Sequence, residues 1–312
     1  MITRKQALLV LDIGGSAVKY GIWCHETLYH QSIFPTPRTR KQFYASVQQL
    51  YERFSDEFSI IGVAVSCPGE PDESTGMIRG LSYVPFLHIA EFQKEFSDFV
   101  GLPVSLQNDA DSAALAEMTL GIGKNHQNAL FTIIGSGVGL SIVKEGRILK
   151  NAAEKIDTVE KLIADAIKMM NNSHVSPVQL GRTVSLKNFK WPSTIEGKDV
   201  FELAKQGNDV ARQEIERMYS ALAEIMIFLN DAFAPEFIGL GGGISNNPEL
   251  LPNLNKTITE LLVSQKPKID IYRSLLKKEH ELLVPNIKIC HFKKDANLIG
   301  AALHYQETYS RS

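Results

Sequence analysis

A unit of strand, glycine turn and strand occurs twice in this chain, and that duplication constrains the fold more than any other feature. Residues 7–23 read ALLVLDIGGSAVKYGIW, and residues 129–148 read ALFTIIGSGVGLSIVKEGRI. In each unit two apolar runs around a glycine turn predict two antiparallel strands. EFIGLGGGIS at 236–245 then echoes the strand-then-glycine shape of SIIGVAVSCPGE at 59–70. This repetition predicts two α/β domains of one topology that face each other.

Length, composition and charge narrow the function classes. The chain has 312 residues, 44% hydrophobic and 22% charged, with a formal net charge of -2. No basic block or acidic tail is present, so nucleic acid and membrane surfaces are not favoured as partners. No apolar run approaches the ~18 residues that span a bilayer. The opening MITRKQALLV runs into a strand without a signal-peptide pattern, which predicts a cytoplasmic protein.

The cysteines are sparse. Cys24, Cys67 and Cys290 lie far apart and form no CxxC pair. Three isolated cysteines fit a reducing compartment and predict neither a disulfide framework nor a cysteine metal site.

Hydrophobic periodicity places the remaining elements. Helices are predicted at about 39–56, 89–99, 110–120, 157–171 and 199–233, with a last helix begun by Asp295 and a strand at 103–107. Gly121 is in the position that often ends a helix in the left-handed conformation. The stretch at 174–194 is interpreted as irregular. The predicted domains are residues 1–109, completed by 295–312, and residues 110–294.

Three strand ends carry glycine turns: DIGGSAVK at 12–19, GSGVG at 135–139 and GLGGGIS at 239–245. Glycine lets backbone amides converge on an anion, because no side chain blocks the approach. None matches GxxxxGK[ST], and GSGVG leads into a strand, so a P-loop and a dinucleotide fingerprint are both excluded. Each turn alone is better explained as a simple hairpin turn, but three such turns after buried strands favour a phosphate-facing cleft. Asp12 supports this, since a carboxylate in an apolar strand end needs a partner, whereas Lys19 alone would normally be solvated.

A second polar strand end occurs at 104–113, which reads VSLQNDADSA. Asp109 is a favoured helix cap, a role worth about 1 kcal/mol. Asn108 could cap equally well, and Asp111 falls in the first turn, where the helix dipole suits it. Capping does not exclude chemistry. From the residues alone, the helix cap is the favoured interpretation of Asp109, and a catalytic base is the alternative.

The motifs DIGGSAVK, CPGEPDESTGMI, LPVSLQNDADSAALAE, IIGSGVG and IGLGGGIS resemble, in order and spacing, those of ROK-family sugar kinases. That family belongs to the actin-like, ribonuclease-H-fold superfamily, which has two similar domains with a cleft between them. The resemblance covers most of 7–150 and 199–305. SYVPFLH with LPVS after it, and IEGKDVFELAKQGN, resemble the bacterial β-glucoside kinase branch.

The resemblance implies ATP-dependent phosphorylation of a sugar hydroxyl, O6 of a hexose unit, with Mg²⁺ and in a homodimer. It implies that Asp109 is the catalytic base and that Mg²⁺ lies near Asp12, through water. The implied sugar-binding residues are Asn108, Ser66, Pro68, Gly69, Glu154 and Asp157. The implied nucleotide-binding residues are Asp12, Gly14, Gly15, Ser16, Lys19, Gly135, Ser136, Gly137, Gly241, Gly242 and Gly243.

The chain departs from the family at two motifs. The family's CxCGxxGC zinc site is missing, since there is no cysteine between Cys67 and Cys290, so no structural zinc is expected. The GExGH sugar motif is also missing. AEKID at 153–157 keeps Glu154 and puts Asp157 in place of the histidine, although both could be ordinary carboxylates at a helix start. His174 is an alternative sugar contact.

Three hypotheses remain at this point. The first is an ATP-dependent sugar kinase, and the second is a non-catalytic sugar- or nucleotide-sensing protein on the same fold. A relative of acetate or glycerol kinase is a weaker third, because those proteins usually run longer. The first strand begins by about residue 7, so the helix-turn-helix of the family's repressors has no room and direct DNA binding is not expected.

Overall fold

The computed structural model describes residues 4–135, 137–149, 168, 175–192, 194–264 and 282–309. The chain divides into two compact units. The first is Met1–Leu120 with Asp295–Ser312, and the second is Gly121–Lys294.

The first unit is built on a five-stranded mixed sheet. Its strands are β1 (Lys5–Ile13), β2 (Ala17–Cys24), β3 (Thr27–Pro35), β4 (Phe58–Cys67) and β7 (Val104–Asn108), in the order β3-β2-β1-β4-β7. β1, β2 and β3 form an antiparallel meander, while β4 pairs parallel with β1 and with β7. The last seven residues of β1 are all buried, as in a strand covered on both faces. A small hairpin of β5 (Glu70–Asp72) and β6 (Met77–Arg79) follows β4.

Four helices complete this unit: α1 (Arg40–Phe54), α2 (Phe92–Val100), α3 (Asp109–Leu120) and the C-terminal α8 (Ala296–Tyr309). The predicted helix at 39–56 is confirmed. Thr39 accepts from the Gln42 amide as its N-cap, and the buried side chains recur at helical spacing. A left-handed glycine does end a helix, but it is Gly101 after α2 and not the predicted Gly121.

The two units divide after Leu120 and not after residue 109, because α3 packs closely on α8. A Cβ added to Gly300 would lie 1.7 Å from the Ser112 carbonyl oxygen, so the two helices meet backbone to backbone. That contact keeps α3 with the first unit.

The second unit repeats the sheet. Its strands are β8 (Ala129–Ile134), β9 (Val138–Lys144), β10 (Arg147–Ile148), β11 (Phe237–Gly241) and β12 (Ile287–Ile289), in the order β10-β9-β8-β11-β12. An antiparallel meander is again followed by two parallel strands, which confirms the predicted α/β class with a duplicated topology.

The described residues of the second unit include four α-helices: α4 (Pro177–Lys187), α5 (Gly197–Lys205), α6 (Asp209–Phe233) and α7 (Leu250–Ser264). The interpretation of 174–194 as irregular is wrong, because α4 buries Leu180 and Val184 in the core of this unit. The helix predicted at 199–233 is two helices. Gly207, with a φ of +93°, separates them, and Asn208 caps α6. None of the described helices is both long and apolar enough to cross a membrane.

Candidate functional site

Three parallel strands of the first unit end in polar residues at one edge of the sheet. Asp12 on β1 is in register with Ser66 on β4, and Cys67 on β4 is in register with Asn108 on β7. Because β1, β4 and β7 are parallel neighbours, their carboxyl ends lie side by side. The edge therefore collects Asp12, Ser66, Asn108 and, one residue further, Asp109.

Asp12 is buried, with 6% exposure, and takes hydrogen bonds from three elements. Lys19 on β2 donates from Nζ to Oδ2 at 2.8 Å. Ser66 donates from Oγ to Oδ1 at 3.3 Å, and Asn297 on α8 donates from Nδ2 to Oδ1 at 3.0 Å. These three hydrogen bonds offset the free-energy cost of burying the Asp12 carboxylate in an apolar strand. Lys19, the weaker candidate of the two, pairs its ammonium with Asp12 while its side chain stays partly exposed.

The cap of α3 is Asn108 and not Asp109. Asn108 Oδ1 accepts from the amides of Ala110 at 2.9 Å and Asp111 at 3.2 Å, which are the bonds an N-cap makes. Asp109 Oδ1 accepts from the amide of Ala110 at 2.8 Å, but not from Asp111. The predicted capping role of Asp109 is therefore corrected, and this carboxylate, the first residue of α3, is left for another use.

The pKa of Asp109 is raised to about 6. Burial is the largest cause, because it disfavours the charged form, and the negative charge of Asp12 is the second. The amide of Ala110 opposes both by donating to the carboxylate. A carboxyl group whose pKa lies near neutrality is suited to accept a proton at physiological pH.

Gly69, in the segment after β4, holds the side chain of Asn108 in place. Gly69 accepts from Asn108 Nδ2 at 2.8 Å, and its φ is +95°. A Cβ there would lie 2.7 Å from the Arg79 carbonyl oxygen, so the position requires glycine. Pro68 is half-buried between β4 and this glycine. Of the predicted sugar-binding residues, the structure thus brings Asn108 and Gly69 into contact, while the Ser66 hydroxyl serves Asp12.

The turn between β1 and β2 is compact, and its residues Gly15 and Ser16 are exposed. The Gly14 amide donates to the Ala17 carbonyl at 3.0 Å, and Thr36 on the segment after β3 binds both Gly14 and Ser16. A Cβ on Gly15 would lie 2.9 Å from the Cβ of Tyr83. The turn is held in one shape, as an anion-binding turn must be.

Two glycine turns of the second unit also share one sheet edge. β8 and β11 are parallel neighbours, with Gly241 opposite Ile133, so Gly135 after β8 and Gly242 after β11 lie at the same end. Gly242 has a φ of +80°, and a Cβ on it would lie 2.4 Å from the Ile134 carbonyl oxygen. Glycine is required there.

The remaining glycines of these turns are more open, and some predicted residues are not described. Gly135 donates from its amide to the Gly137 carbonyl at 2.9 Å. A Cβ on Gly243 would meet nothing within 4 Å. Ser136, Glu154, Asp157 and His174 lie outside the described residues.

Asn297 and Thr36 are site residues that sequence reasoning missed. Asn297 is 285 positions away from Asp12, the residue it binds. Its one signal in the sequence is a polar residue within ANLIGAAL, the otherwise apolar start of the last helix. Thr36 gives no signal, since threonine after a strand is ordinary.

A divalent cation would find limited protein ligation at Asp12. Among the described residues no group of three or more His, Cys, Asp or Glu side chains could hold a metal. Both oxygens of Asp12 already accept hydrogen bonds. This donor set fits Mg²⁺ held by phosphates and touching Asp12 through water, because Mg²⁺ keeps several waters and uses few carboxylates.

Comparison with known proteins gives one consistent family. The profile of the ROK family matches residues 8–153 and 158–307. The chain is 25% identical to a beta-glucoside kinase of Listeria monocytogenes, over 97% of this chain and 99% of that one. It is also 25% identical to an N-acetylmannosamine kinase of Yersinia pestis, over 95% and 97%. A solved ROK family protein from Streptococcus pneumoniae, in complex with sucrose, matches with 25% identity and a TM-score of 0.76, over 98% and 100%.

Proposed function

The chain belongs to the ROK family, and from that premise we propose that it is a kinase that transfers the γ-phosphoryl group of ATP to a sugar hydroxyl. The observation that carries the proposal is the Asp109 carboxylate, with its pKa raised to about 6, at the strand edge shared with Asp12. Two relatives with known names, both sugar kinases, support the same class of reaction.

Asp109 is the general base of the proposed reaction. It accepts the proton of the sugar hydroxyl while that oxygen bonds to the γ-phosphorus and the bond from the γ-phosphorus to the bridging β–γ oxygen breaks. ADP then leaves, and the proton passes from Asp109 to solvent. A base of this kind contributes roughly 10²–10⁴-fold to the rate.

Phosphate binding is assigned to Lys19 and to the glycine turns. The ammonium of Lys19 is anchored by Asp12 yet its side chain remains 40% exposed, so it can also approach an anion. Mg²⁺, when bound, supplies charge neutralisation on the phosphates. The backbone amides of Gly15 and Ser16 in the first unit are assigned to the phosphates, while the Gly14 amide donates to the Ala17 carbonyl and shapes the turn. Gly135, Ser136, Gly137, Gly241, Gly242 and Gly243 stay predicted nucleotide contacts.

Sugar binding is assigned first to Asn108. Its Nδ2 carries two hydrogens, and Gly69 takes one of them, which leaves the second for a sugar hydroxyl. We assign O6 of a hexose or of a β-glucoside as the acceptor. Glu154 and Asp157 stay predicted sugar contacts, and the homodimer and cytoplasmic location also stay predictions.

A second candidate is a non-catalytic sugar or nucleotide sensor on the same fold. The observation in its favour is the missing GExGH motif, which removes the family's histidine from the sugar site. The two candidate functions differ in whether the protein phosphorylates a sugar.

The deciding experiment measures ATP consumption with Mg²⁺ against glucose, mannose, fructose, N-acetylmannosamine, cellobiose and an aryl β-glucoside. Wild-type protein should phosphorylate at least one of them. Asp109→Asn should lower kcat by roughly 10²-fold or more while leaving ATP affinity nearly unchanged. Asp98→Asn, an exposed carboxylate in the same unit, is the matched control. ATP binding without turnover on any sugar would favour the sensor.

A further inference from the structure

The C-terminal helix reaches the site through one side chain. Asn297 is the second residue of α8, and its Nδ2 donates to Asp12 Oδ1 at 3.0 Å. We propose that Asn297 is a positioning residue, which holds the Asp12 carboxylate in the orientation that presents Lys19 to the phosphates of ATP. This inference rests on the proposed function, because it assigns a role within that same site.

Asn297 is the donor best able to set the orientation of Asp12. A carboxylate can turn about its Cβ–Cγ bond with little resistance, since that torsion is broad. Lys19 is a flexible chain, and the Ser66 hydroxyl, at 3.3 Å, can rotate to follow the carboxylate. The amide of Asn297 is planar and its two hydrogens point in set directions. It therefore favours one orientation of Asp12, the one in which Oδ2 faces Lys19 at 2.8 Å.

The position of Asn297 is itself set by the packing of α8. Gly300 lies against the Ser112 carbonyl of α3, as its added Cβ would meet that oxygen at 1.7 Å. Tyr305 donates to the Ile61 carbonyl of β4 at 3.2 Å, and Tyr309 donates to the Val104 carbonyl of β7 at 3.0 Å. α8 is thus bonded to two of the strands that form the site edge, and it cannot slide along the sheet without breaking these contacts.

Loss of the hydrogen bond from Asn297 to Asp12 should affect nucleotide binding and not sugar binding. If Asp12 turns away, the Lys19 ammonium loses its bond to Oδ2 and is held less firmly in this orientation, so fewer molecules present it to phosphate. Asn108 and Asp109 depend on the cap of α3 and on Gly69, and they make no bond to Asn297. ATP affinity should fall, while sugar affinity should hold.

The test compares Asn297→Asp with Asn297→Ala. Aspartate has nearly the volume of asparagine, and an acid in the first turn of a helix is favourable for folding. A purely structural role for Asn297 therefore predicts that Asn297→Asp is the milder change. A donor role predicts the reverse, because a carboxylate there cannot donate and repels Asp12.

Calorimetric titration with Mg·ATP, together with steady-state kinetics, separates the two roles. Asn297→Ala should weaken Mg·ATP binding about 10- to 100-fold, as expected for loss of a hydrogen bond to a charged group. Asn297→Asp should weaken it further, and the KM for sugar should stay within about twofold in both, since Asn108 is untouched. Gln306→Ala, an exposed residue of the same helix, is the control and should behave as wild type.

Each other outcome overturns the inference in a recognisable way. If Asn297→Asp binds Mg·ATP as wild type does, or better than Asn297→Ala, the donor role is wrong, although the kinase itself still turns over. If both variants weaken ATP and sugar equally and melt at lower temperature, Asn297 is structural only. If wild-type protein neither binds Mg·ATP nor phosphorylates a sugar, the proposed function fails first and the inference fails with it.

Discussion

Activity should depend on pH through Asp109, and this dependence tests the site most directly. As a general base Asp109 must be ionised when the sugar hydroxyl attacks. An ordinary aspartate has a pKa of about 3.9. Burial, with the charge of Asp12 second, raises that of Asp109 to about 6. The structure thus predicts that activity is lost well above the pH at which a solvated aspartate would titrate.

The magnitude follows from the fraction of Asp109 that is ionised. With a pKa of about 6 this fraction is about 0.9 at pH 7 and about 0.1 at pH 5. With a pKa of about 3.9 it would still exceed about 0.9 at pH 5. kcat/KM for the sugar should therefore fall about tenfold between pH 7 and pH 5, against less than about 10% for an unperturbed carboxyl.

The assay is kcat/KM for the sugar at saturating Mg·ATP between about pH 4.5 and 8.5, at constant ionic strength. Neutral sugars do not titrate in this range, so the limb reports the enzyme–nucleotide complex. Asp111→Asn should move the limb to lower pH, because the charge of Asp111 also raises the pKa of Asp109. Asp98→Asn, which removes an exposed carboxylate, should leave the limb in place.

A profile that stays flat down to pH 5 would refute the reasoning. It would mean either that Asp109 is not the base or that burial does not perturb it. A limb that appears near pH 6 but is unchanged in Asp109→Asn would assign the titration to another group. Either result would remove the observation on which the proposed function rests.

Three further predictions concern stability and the second unit. Asp109→Asn should unfold at a higher temperature than wild type at pH 8, where the buried carboxylate is ionised and its charge destabilises the folded protein. Near pH 4 the two proteins should unfold at similar temperatures, because Asp109 is protonated below its pKa of about 6. Gly300→Ala should lower the urea midpoint of unfolding. The new Cβ would overlap the Ser112 carbonyl oxygen, which costs about 1–3 kcal/mol or more, whereas alanine gains about 1 kcal/mol in helix propensity. Gly242→Ala should lower the melting temperature and weaken ATP binding, because its φ is +80° and its Cβ would meet the Ile134 carbonyl. Gly243→Ala, with open space around it, should leave the melting temperature nearly unchanged.

Strand and turn chemistry was readable from the sequence because it is local. The apolar run before Asp12 and the glycines after it predict a buried strand and a tight turn, and β1 and β2 have that form. The same pattern at 129–148 predicts β8 and β9, so the duplication follows from the chain alone. Helix α4 was missed because only two of its four buried residues, Leu180 and Val184, are large and apolar, so its hydrophobic periodicity is weak.

The cap at Asn108 shows where local reasoning ends. Asn108 and Asp109 are both good caps, and nothing in VSLQNDADSA separates them. Which of the two residues caps the helix depends on which side chain is held by a second hydrogen bond. Gly69, 39 residues earlier, binds the amide of Asn108 and turns its oxygen toward the helix amides.

The duplicated α/β topology, the glycine turns and the carboxylate at each of two strand ends can all be inferred from the sequence alone. Each of these features shows in patterns of residues that lie close together in the chain. Only the tertiary structure decided which partners those carboxylates have. The three donors to Asp12 come from β2, β4 and α8, and the burial that raises the pKa of Asp109 comes from packed neighbours. Contacts of this kind span up to 285 positions in sequence, so no local pattern specifies them, and they form only when the helices have packed on the sheet.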